Sequence, residues 1–469
     1  MRKEPVYVSE VEKQELEGAA EAFLLLPYRP HTYHIVTYGC QMNAHDSEKL
    51  AGILQAMGMT EAADRGTADF VLFNTCCIRD NAERRALGNV NWLKELRKGN
   101  PALVIGVCGC MVQQPHMAEK VLKQYRFIDL AFGTHNLHQL PKLLLQLVQQ
   151  QKRVVSVIQE ENLIAEGLPV QRLSSYHAYT TIMYGCNNYC SYCVVPYVRG
   201  RERSRRMEDI LREAESLQKN GIQEITLLGQ NVNSYQSGAG EGFPELLKAL
   251  DGVGIPRIRF MTSHPKDLSD RLIEVMAGSQ HICNHFHLPV QSGNDEILQR
   301  MNRGYTRGDY LRRVSALRAA VPGIGLTTDI IVGFPGETEA QFLDTLSLVE
   351  EVGFDAAFTF IYSKRPGTRA AEMPGQIPAE VSGKRFAQLL EAVEASTQKI
   401  RKEMLGKTEQ VLVESLSRRD ESKVSGKGTR SITITLDGTA EDIGKIIPVR
   451  ITSAAANTLR GERIERSEP

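Results

Sequence analysis

Between residues 31 and 125 an apolar run rich in β-branched residues gives way three times to an amphipathic helical pattern, and a cysteine stands at each changeover. The runs His34–Tyr38, Phe70–Asn74 and Leu103–Val107 have the length and composition of strands. The stretches near Asp46–Met57, Glu83–Lys98 and Gln114–Tyr125 repeat their apolar residues at helical spacing. Alternation of this kind predicts a doubly wound parallel sheet with helices on its faces. Parallel strands end on one edge, so residues that each follow a strand are gathered there although far apart in sequence. Cys40, Cys76 and Cys110 are such residues, 36 and 34 positions apart, or one βα unit each. That convergence is what a three-cysteine cluster site needs. Spacing leaves Cys77 as an alternative to Cys76, and Cys108 shares a strand face with Cys110 because strand side chains alternate with period two.

A polar segment around Gln149–Arg172 predicts a linker. Beyond it Thr180–Met183, Ile225–Leu228, Ile258–Met261, His285–Leu288, Asp329–Val332 and Ala357–Ile361 predict six further strands with helices between them. Six units fall short of the roughly eight that close a full barrel, so an open (β/α)6 barrel is expected. From Gly406 the pattern changes to short strands, Gln410–Glu414, Ser431–Leu436 and Ile446–Ser453, with Gly- and charge-rich turns, which predicts a small all-β barrel. The expectation is an α/β multidomain chain: a charged extension at 1–30 with one helix, the doubly wound domain at 31–148, the linker at 149–171, the open barrel at 172–404 and the all-β barrel at 405–468.

Lys plus Arg and Asp plus Glu each total 56, so no global basic field marks a nucleic-acid partner, and a polyanion would be held by a local patch. No apolar run approaches the roughly 18 residues that span a bilayer, which points away from a membrane. The early Glu4, Glu10, Glu12, Glu15 and Glu17 suit neither a signal nor a transit peptide, so a cytoplasmic location is expected. In a reducing compartment nine cysteines, an odd number, ask for metal or cluster ligation rather than disulfides. Cys283 has no motif around it and reads as core.

The tightest cysteine set is Cys186-Asn-Asn-Tyr-Cys190-Ser-Tyr-Cys193, directly after the first strand of the barrel series. Zinc would want a fourth ligand nearby, and the flanks offer no further His or Cys. Three thiolates on a short loop suit a four-iron, four-sulfur cluster with one iron left open for substrate. The C-x3-C-x-aromatic-C form, with Tyr192 as the aromatic, resembles the radical S-adenosylmethionine enzymes. The resemblance implies that the open iron chelates the methionyl group of S-adenosylmethionine, whose reductive cleavage yields a 5′-deoxyadenosyl radical. It further implies Gly229, Gln230 and Asn231 at the methionyl amino group, Gln291 and Ser292 at the ribose, and Ile331 and Gly333 at the adenine. All follow or end predicted strands, on the edge where barrel active sites lie.

Tyr38-Gly-Cys-Gln-Met-Asn43, Asn74-Thr-Cys76, Gly109-Cys110, Leu228-Gly-Gln-Asn-Val-Asn-Ser-Tyr235, Leu288-Pro-Val-Gln-Ser-Gly-Asn294 and Arg303-Gly-Tyr-Thr306 extend the likeness from about residue 31 over nearly the whole chain. Together they resemble the methylthiotransferase family. The Tyr-Gly-Cys-Gln-Met-Asn form is similar to the branch acting on isopentenylated tRNA, where other branches show Gly-Cys-Pro-Lys-Asn or Gly-Cys-Lys-Val-Asn. The resemblance implies a second four-iron cluster on Cys40, Cys76 and Cys110, with Cys77 and Cys108 as departures from the usual pattern. It implies conversion of the C2–H of N6-isopentenyladenosine, beside the anticodon, to C2–SCH3. One S-adenosylmethionine would donate methyl to a cluster sulfide and a second would supply the radical. The implied partners are the tRNA anticodon stem-loop and a reducing electron donor, with the chain a monomer.

Two basic sets are candidates for RNA contact. Arg199, Arg201, Arg203, Arg205 and Arg206 with only Glu202 carry a net +4 over eight residues. Residues 407–469 hold 11 basic and 10 acidic side chains, so composition does not mark them as RNA-binding, but the strand pattern resembles the TRAM domain. Lys423, Lys427 and Arg430 are its expected contacts. Two rivals make opposite demands on the sequence. A cobalamin-dependent radical methyltransferase calls for an Asp-x-His-x-x-Gly stretch in the N-terminal domain, which is absent. A non-catalytic iron–sulfur protein calls for four cysteines per cluster, where the chain offers two sets of three.

Overall fold

The computed structural model describes residues 5–77, 80–158, 163–238, 240–455 and 458–464. Residues 1–4 of the expected extension, 159–162 of the expected linker and 465–468 of the expected last domain lie outside these. The chain divides into two compact units. The first runs to Leu173 and takes in Met183–Asn187 and Cys193–Arg205; the second holds Ser174–Ile182, Asn188–Tyr192 and the chain from Arg206 on. Two short segments of the expected 172–404 domain therefore belong with the first unit.

The first unit is built on six parallel strands in the order Thr60–Glu61, Thr32–Thr37, Phe70–Thr75, Val104–Gly109, Leu130–Phe132 and Val154–Ser156. Period-two alternation sends Phe70 and Leu72 into one apolar cluster with Leu50, Leu54 and Phe132, and Val71 and Phe73 into another with Val90, Ile105 and Val121. Helices cover both faces, which is why Phe70–Thr75 is buried along its whole length. The expected linker is partly structural: Val154–Ser156 is the last strand of this sheet, and Leu163–Ile164 pairs with Val6–Tyr7. The helix expected from Asp46 begins at Gln41 with Cys40 as its N-cap, because Asn43, His45, Asp46, Ser47 and Glu48 are polar yet buried. Apolar periodicity is blind to such a first turn. The extension forms the helix Glu10–Leu24, capped by Ser9, which accepts from the Glu12 amide at 3.1 Å.

In the second unit His177–Thr181, Glu224–Leu228 and Arg257–Phe260 pair in parallel, as do His285–His287, Gly325–Val332 and Ala356–Ile361. The two halves meet at a bridge between Ile258 and Ile282. Six parallel strands thus follow one another in chain order, and among the described residues the first and last do not pair, so the barrel is open. The chain then forms a closed five-stranded barrel of Thr408–Ser417, Asp420–Lys427, Thr433–Asp437, Ile446–Ala454 and Leu459–Arg463. Two of these strands escape the sequence reading. Asp420–Lys427 and Leu459–Arg463 are rich in charge, and only Val424, Gly426, Leu459 and Gly461 turn inward.

The turn after Asp420–Lys427 faces the open barrel of the same unit. Arg257 donates to the carbonyls of Lys427 and Gly428, both at 2.9 Å, and Arg259 to those of Gly428 and Thr429 at 2.6 and 3.0 Å. Both guanidiniums also lie within 3.0 Å of the buried Glu224 carboxylate. Burial alone would raise the Glu224 pKa, but Arg259 and Arg257 more than offset this and hold it below the usual range. Replacing Glu224 with Ala strands two buried cations and should lower stability by about 3–5 kcal/mol, read as a lower midpoint in urea unfolding. In the unsubstituted chain the stability from this carboxylate is complete above about pH 4.3 and is lost as pH falls through its depressed native value.

Candidate functional site

The carboxyl ends of the first unit's central strands are brought into contact by two glycines. Gly39 has φ +130° and a Cβ there would sit 2.6 Å from the Cβ of Cys76. Gly109 has φ +94° and its Cβ would lie 2.5 Å from the Thr75 carbonyl oxygen. Each immediately precedes a cysteine, so Cys40 and Cys110 are drawn onto the segment Asn74–Cys76 from either side. Asn43 and Asn74 lock that segment. The Asn43 amide donates to Asn74 Oδ1 at 3.2 Å and to the Thr75 carbonyl at 3.0 Å, while Asn74 donates to the Asn43 carbonyl at 2.8 Å. Cys40 is exposed whereas Cys76, Cys77 and Cys110 are buried.

The two cysteines that spacing left open separate here. Cys108 lies in the apolar cluster with Phe70 and Phe132, where burial pushes its thiol well up. Cys77 lies with Cys110 beside Val194 and Val198. A hydrogen bond from Cys77 brings the Cys110 thiol down to about 6 despite its burial, and Arg199 adds to the effect. Arg199 itself is buried, with Nε 3.2 Å from Cys110 Sγ and Nη2 2.7 Å from Asp46 Oδ2. Among the described residues no three His, Cys, Asp or Glu side chains are placed to share a single metal ion. A four-iron cluster takes one thiolate per iron, so its ligands stand farther apart, and three thiolates on adjoining strand ends suit that donor set.

Of the C-x3-C-x2-C set, Cys186 and Cys193 belong to the first unit and Cys190 to the second. In the first unit Gly185, φ +76°, passes so close to Arg201 that a Cβ would meet its carbonyl oxygen at 2.1 Å. The Cys186 amide donates to the Gly200 carbonyl at 3.1 Å, and Asn187 and Glu202 exchange hydrogen bonds at 3.2 Å.

In the second unit Cys190 is buried with Arg303 Nη1 3.3 Å from its sulfur, and Arg303 also reaches the Tyr192 hydroxyl at 3.4 Å. Gly229, Gln230 and Asn231 follow the strand Glu224–Leu228 directly. Asn231 donates to Asp267 at 2.8 Å, yet its Oδ1 is buried without a partner. The neighbouring strand end adds two more buried, unpartnered polar atoms, Ser263 Oγ and His264 Nε2. The Lys266 amide donates to His264 Nδ1 at 3.3 Å, and burial keeps this ring neutral, so Nε2 carries the hydrogen. Three orphaned polar atoms at adjoining strand ends suit the charged methionyl group of S-adenosylmethionine. Ser263 and His264 escape the sequence reading because they follow a strand predicted to end at Met261; the Thr-Ser-His-Pro turn after it was the available signal.

Gln291, φ +69°, bridges the strand end at Ile330, and Ile331 lies in an apolar cluster with Phe334 and Met301. Ser292 is fully buried and spent on Thr345, 3.3 Å away. The missing side chain of Gly333 makes room for Ser382, whose Oγ would lie 2.5 Å from a Cβ, and the Gly333 amide donates to Glu337 at 2.8 Å. The fold itself therefore requires a glycine at this position.

Sequence and structure comparisons place these features in known company. Residues 180–349 match the radical SAM superfamily, 32–133 the Uncharacterized protein family UPF0004, and 402–464 the TRAM domain. A tRNA-2-methylthio-N(6)-dimethylallyladenosine synthase of Caldicellulosiruptor saccharolyticus is 48% identical over 98% of this chain and 97% of its own. The protein of that name from Lachnoclostridium phytofermentans is 50% identical over 93% and 96%. The chain belongs to this synthase family. Among solved structures, the radical S-adenosylmethionine methyltransferase TsrM of Kitasatospora setae shares the fold at 15% identity, with a TM-score of 0.55 over 73% of this chain and 75% of that one. The cobalamin-dependent radical enzyme OxsB does so at 13% identity and a TM-score of 0.51, over 79% of this chain and 56% of its own.

For a member of the synthase family the arginine run is placed unexpectedly. Arg199, Arg203 and Arg205, read as phosphate contacts, are buried in the first unit. Arg203 donates to the Arg199 carbonyl at 2.8 Å and to that of Leu163 at 3.1 Å, and its guanidinium lies 5.0 Å over the Tyr184 ring. Arg205 holds both oxygens of Glu166 at 2.5 and 2.8 Å. Arg201 and Arg206 are exposed, Arg206 with Asp209 at 2.8 Å. In the last barrel Lys423 pairs with Asp437 at 2.9 Å and Lys427 with Glu414 at 3.7 Å. Arg430 is turned inward, its Nε 2.9 Å from the buried Asp355, which removes it from the expected RNA face. A run of alternating arginines looks the same in sequence whether its partners are phosphates or distant carboxylates. Arg205→Gln should therefore lower the melting temperature, costing up to about 3 kcal/mol, and leave the salt slope of tRNA binding unchanged. A flatter slope in filter-binding titrations would contradict its burial.

Proposed function

We propose that this enzyme replaces the C2 hydrogen of N6-isopentenyladenosine, next to the anticodon of tRNA, with a methylthio group. The observation that carries the reading is the closure of Gly39-Cys40 and Gly109-Cys110 onto the Asn74–Cys76 segment, in a chain of this family that also holds a complete C-x3-C-x-aromatic-C set. When bound, a cluster on Cys186, Cys190 and Cys193 with S-adenosylmethionine supplies a carbon radical, and one on Cys40, Cys76 and Cys110 supplies sulfur. An aromatic C–H has no useful acidity, so no general base is needed from the protein.

The chain's own work is placement. Asn231 Oδ1 accepts from the methionyl ammonium, while Ser263 Oγ and the His264 Nε2–H face its carboxylate. Gly229 and Gln230 stand with Asn231 at the methionyl end, and Gln291 and Ile331 serve the nucleoside end of the same strand ends. The base is offered from a single-stranded loop, which spares the cost of opening a duplex. Phosphate contact falls to the exposed cations of the last barrel, among them Arg418, Arg419, Arg450 and Arg460, with Lys423 and Lys427 able to exchange weak surface pairs for phosphate. The reading further takes the enzyme to be a cytoplasmic monomer served by a low-potential one-electron donor.

The reconstituted enzyme, given S-adenosylmethionine, a reductant and isopentenylated tRNA, should yield the 2-methylthio nucleoside by mass spectrometry. Replacing Cys40, Cys76 and Cys110 together with Ala should abolish that nucleoside and leave 5′-deoxyadenosine formation largely intact. Replacing any one of Cys186, Cys190 or Cys193 should abolish both. Methylthio product from the first variant would overturn the role given to the strand-end set.

A further inference from the structure

Two buried guanidiniums stand in matching relations to the two cysteine sets. Arg199, about 5% exposed, points Nε at Cys110 Sγ from 3.2 Å. Arg303, also about 5% exposed, points Nη1 at Cys190 Sγ from 3.3 Å. Neither is free to swing away. Asp46 grips Arg199 at 2.7 Å. The Pro289 carbonyl and the Tyr305 hydroxyl hold Arg303 at 2.7 and 3.0 Å, and its guanidinium lies 5.3 Å over the Tyr305 ring. Burying an arginine is expensive unless every donor is used, so a donor aimed at sulfur has a reason to be there. The two come from unrelated parts of the fold, one after a short helix of the first unit and one after a helix of the second.

We propose that Arg199 and Arg303 are positioning residues that raise the reduction potentials of the two iron–sulfur sites, each by donating one N–H to one ligand sulfur. A cluster gains negative charge on reduction, and a cationic donor on its thiolate favours the reduced form. The surroundings differ in one respect. Arg199 is balanced by Asp46, whereas among the described residues no carboxylate pairs with Arg303. Replacing Arg199 alone would leave a bare buried carboxylate, so the hydrogen bond is isolated by removing both charges at once.

The proposal rests on the ligand assignment above, and the test keeps the two separable. One background carries Cys186→Ala, Cys190→Ala and Cys193→Ala, leaving only the strand-end set; the other carries Cys40→Ala, Cys76→Ala and Cys110→Ala. Each is reconstituted with iron and sulfide, and the midpoint potential of its single cluster is read by electron paramagnetic resonance during reductive titration. Asp46→Asn with Arg199→Gln in the first background, and Arg303→Gln in the second, should each shift the equilibrium about tenfold toward the oxidised cluster. That is a potential lower by about 59 mV. Arg303→Lys, which keeps the charge but loses the planar fork, should fall between. Full iron loading with unchanged potentials overturns the proposal and leaves the ligand assignment standing. A background that binds no iron overturns the ligand assignment for its set, and the proposal with it. Should one substituted chain fail to fold, the arm in the other unit decides, since the same shift is required of both.

Discussion

Contact between two glycines and one short strand end governs the first unit. Gly39 and Gly109 each bring backbone to where a Cβ would fall within 2.6 Å of the Thr75–Cys76 segment. Neither position tolerates a side chain, and both have φ values that favour glycine. Because each glycine is followed at once by a cysteine, the close packing that joins three strands also gathers three thiols. The sheet's parallel topology supplies the common edge, and the Asn43–Asn74 hydrogen bonds keep the joint from opening. Site and fold share the same atoms there. Loosening the joint would separate the three thiols.

Buried charge is the second theme. Arg199, Arg203 and Arg205 in the first unit, and Arg257, Arg259, Arg303 and Arg385 in the second, are all buried, with carboxylates, carbonyl oxygens or thiols as partners. Satisfied pairs of this sort add little net stability, but removing one partner is costly, so they fix geometry more than they add free energy. In the second unit Arg257 and Arg259, anchored on Glu224, hold the Lys427–Thr429 turn of the last barrel, and Arg430 of that turn reaches back to Asp355. In the first, Arg199 reaches Cys110, while Arg203 and Arg205 are held by backbone carbonyls and Glu166. The +4 run therefore says little about RNA; its charges are largely answered within the protein.

The legible part of the sequence was whatever follows from periodicity and spacing. The parallel strands, the open six-unit barrel and the all-β end follow from alternation of β-branched runs with helical ones, and the two cysteine triplets from their positions in that pattern. Three kinds of feature escaped. Asp420–Lys427 and Leu459–Arg463 are strands because their neighbours pair with them in a closed barrel, and their own residues carry almost no apolar alternation. The helix from Gln41 hides its first turns behind buried polar side chains. Arg199 and Arg303 reach sulfurs far away in the chain, which no local pattern can encode, and Ser263 and His264 lie just past a strand predicted to end at Met261. Gly333 answers to the fold as well, since Ser382 on a distant helix leaves no room there for a side chain.

The proposed ligand set at the strand ends of the first unit is Cys40, Cys76 and Cys110, with Cys77, hydrogen-bonded to Cys110, as the alternative to Cys76. Anomalous diffraction at the iron absorption edge, from crystals of the reconstituted protein, tests this most directly. The account predicts two separate iron sites, one of them bonded to the sulfurs of Cys40, Cys76 and Cys110, with Arg199 Nε still on the Cys110 sulfur. Iron bonded to Cys77 or Cys108 in place of one of the three, or no iron at that sheet edge, would contradict it.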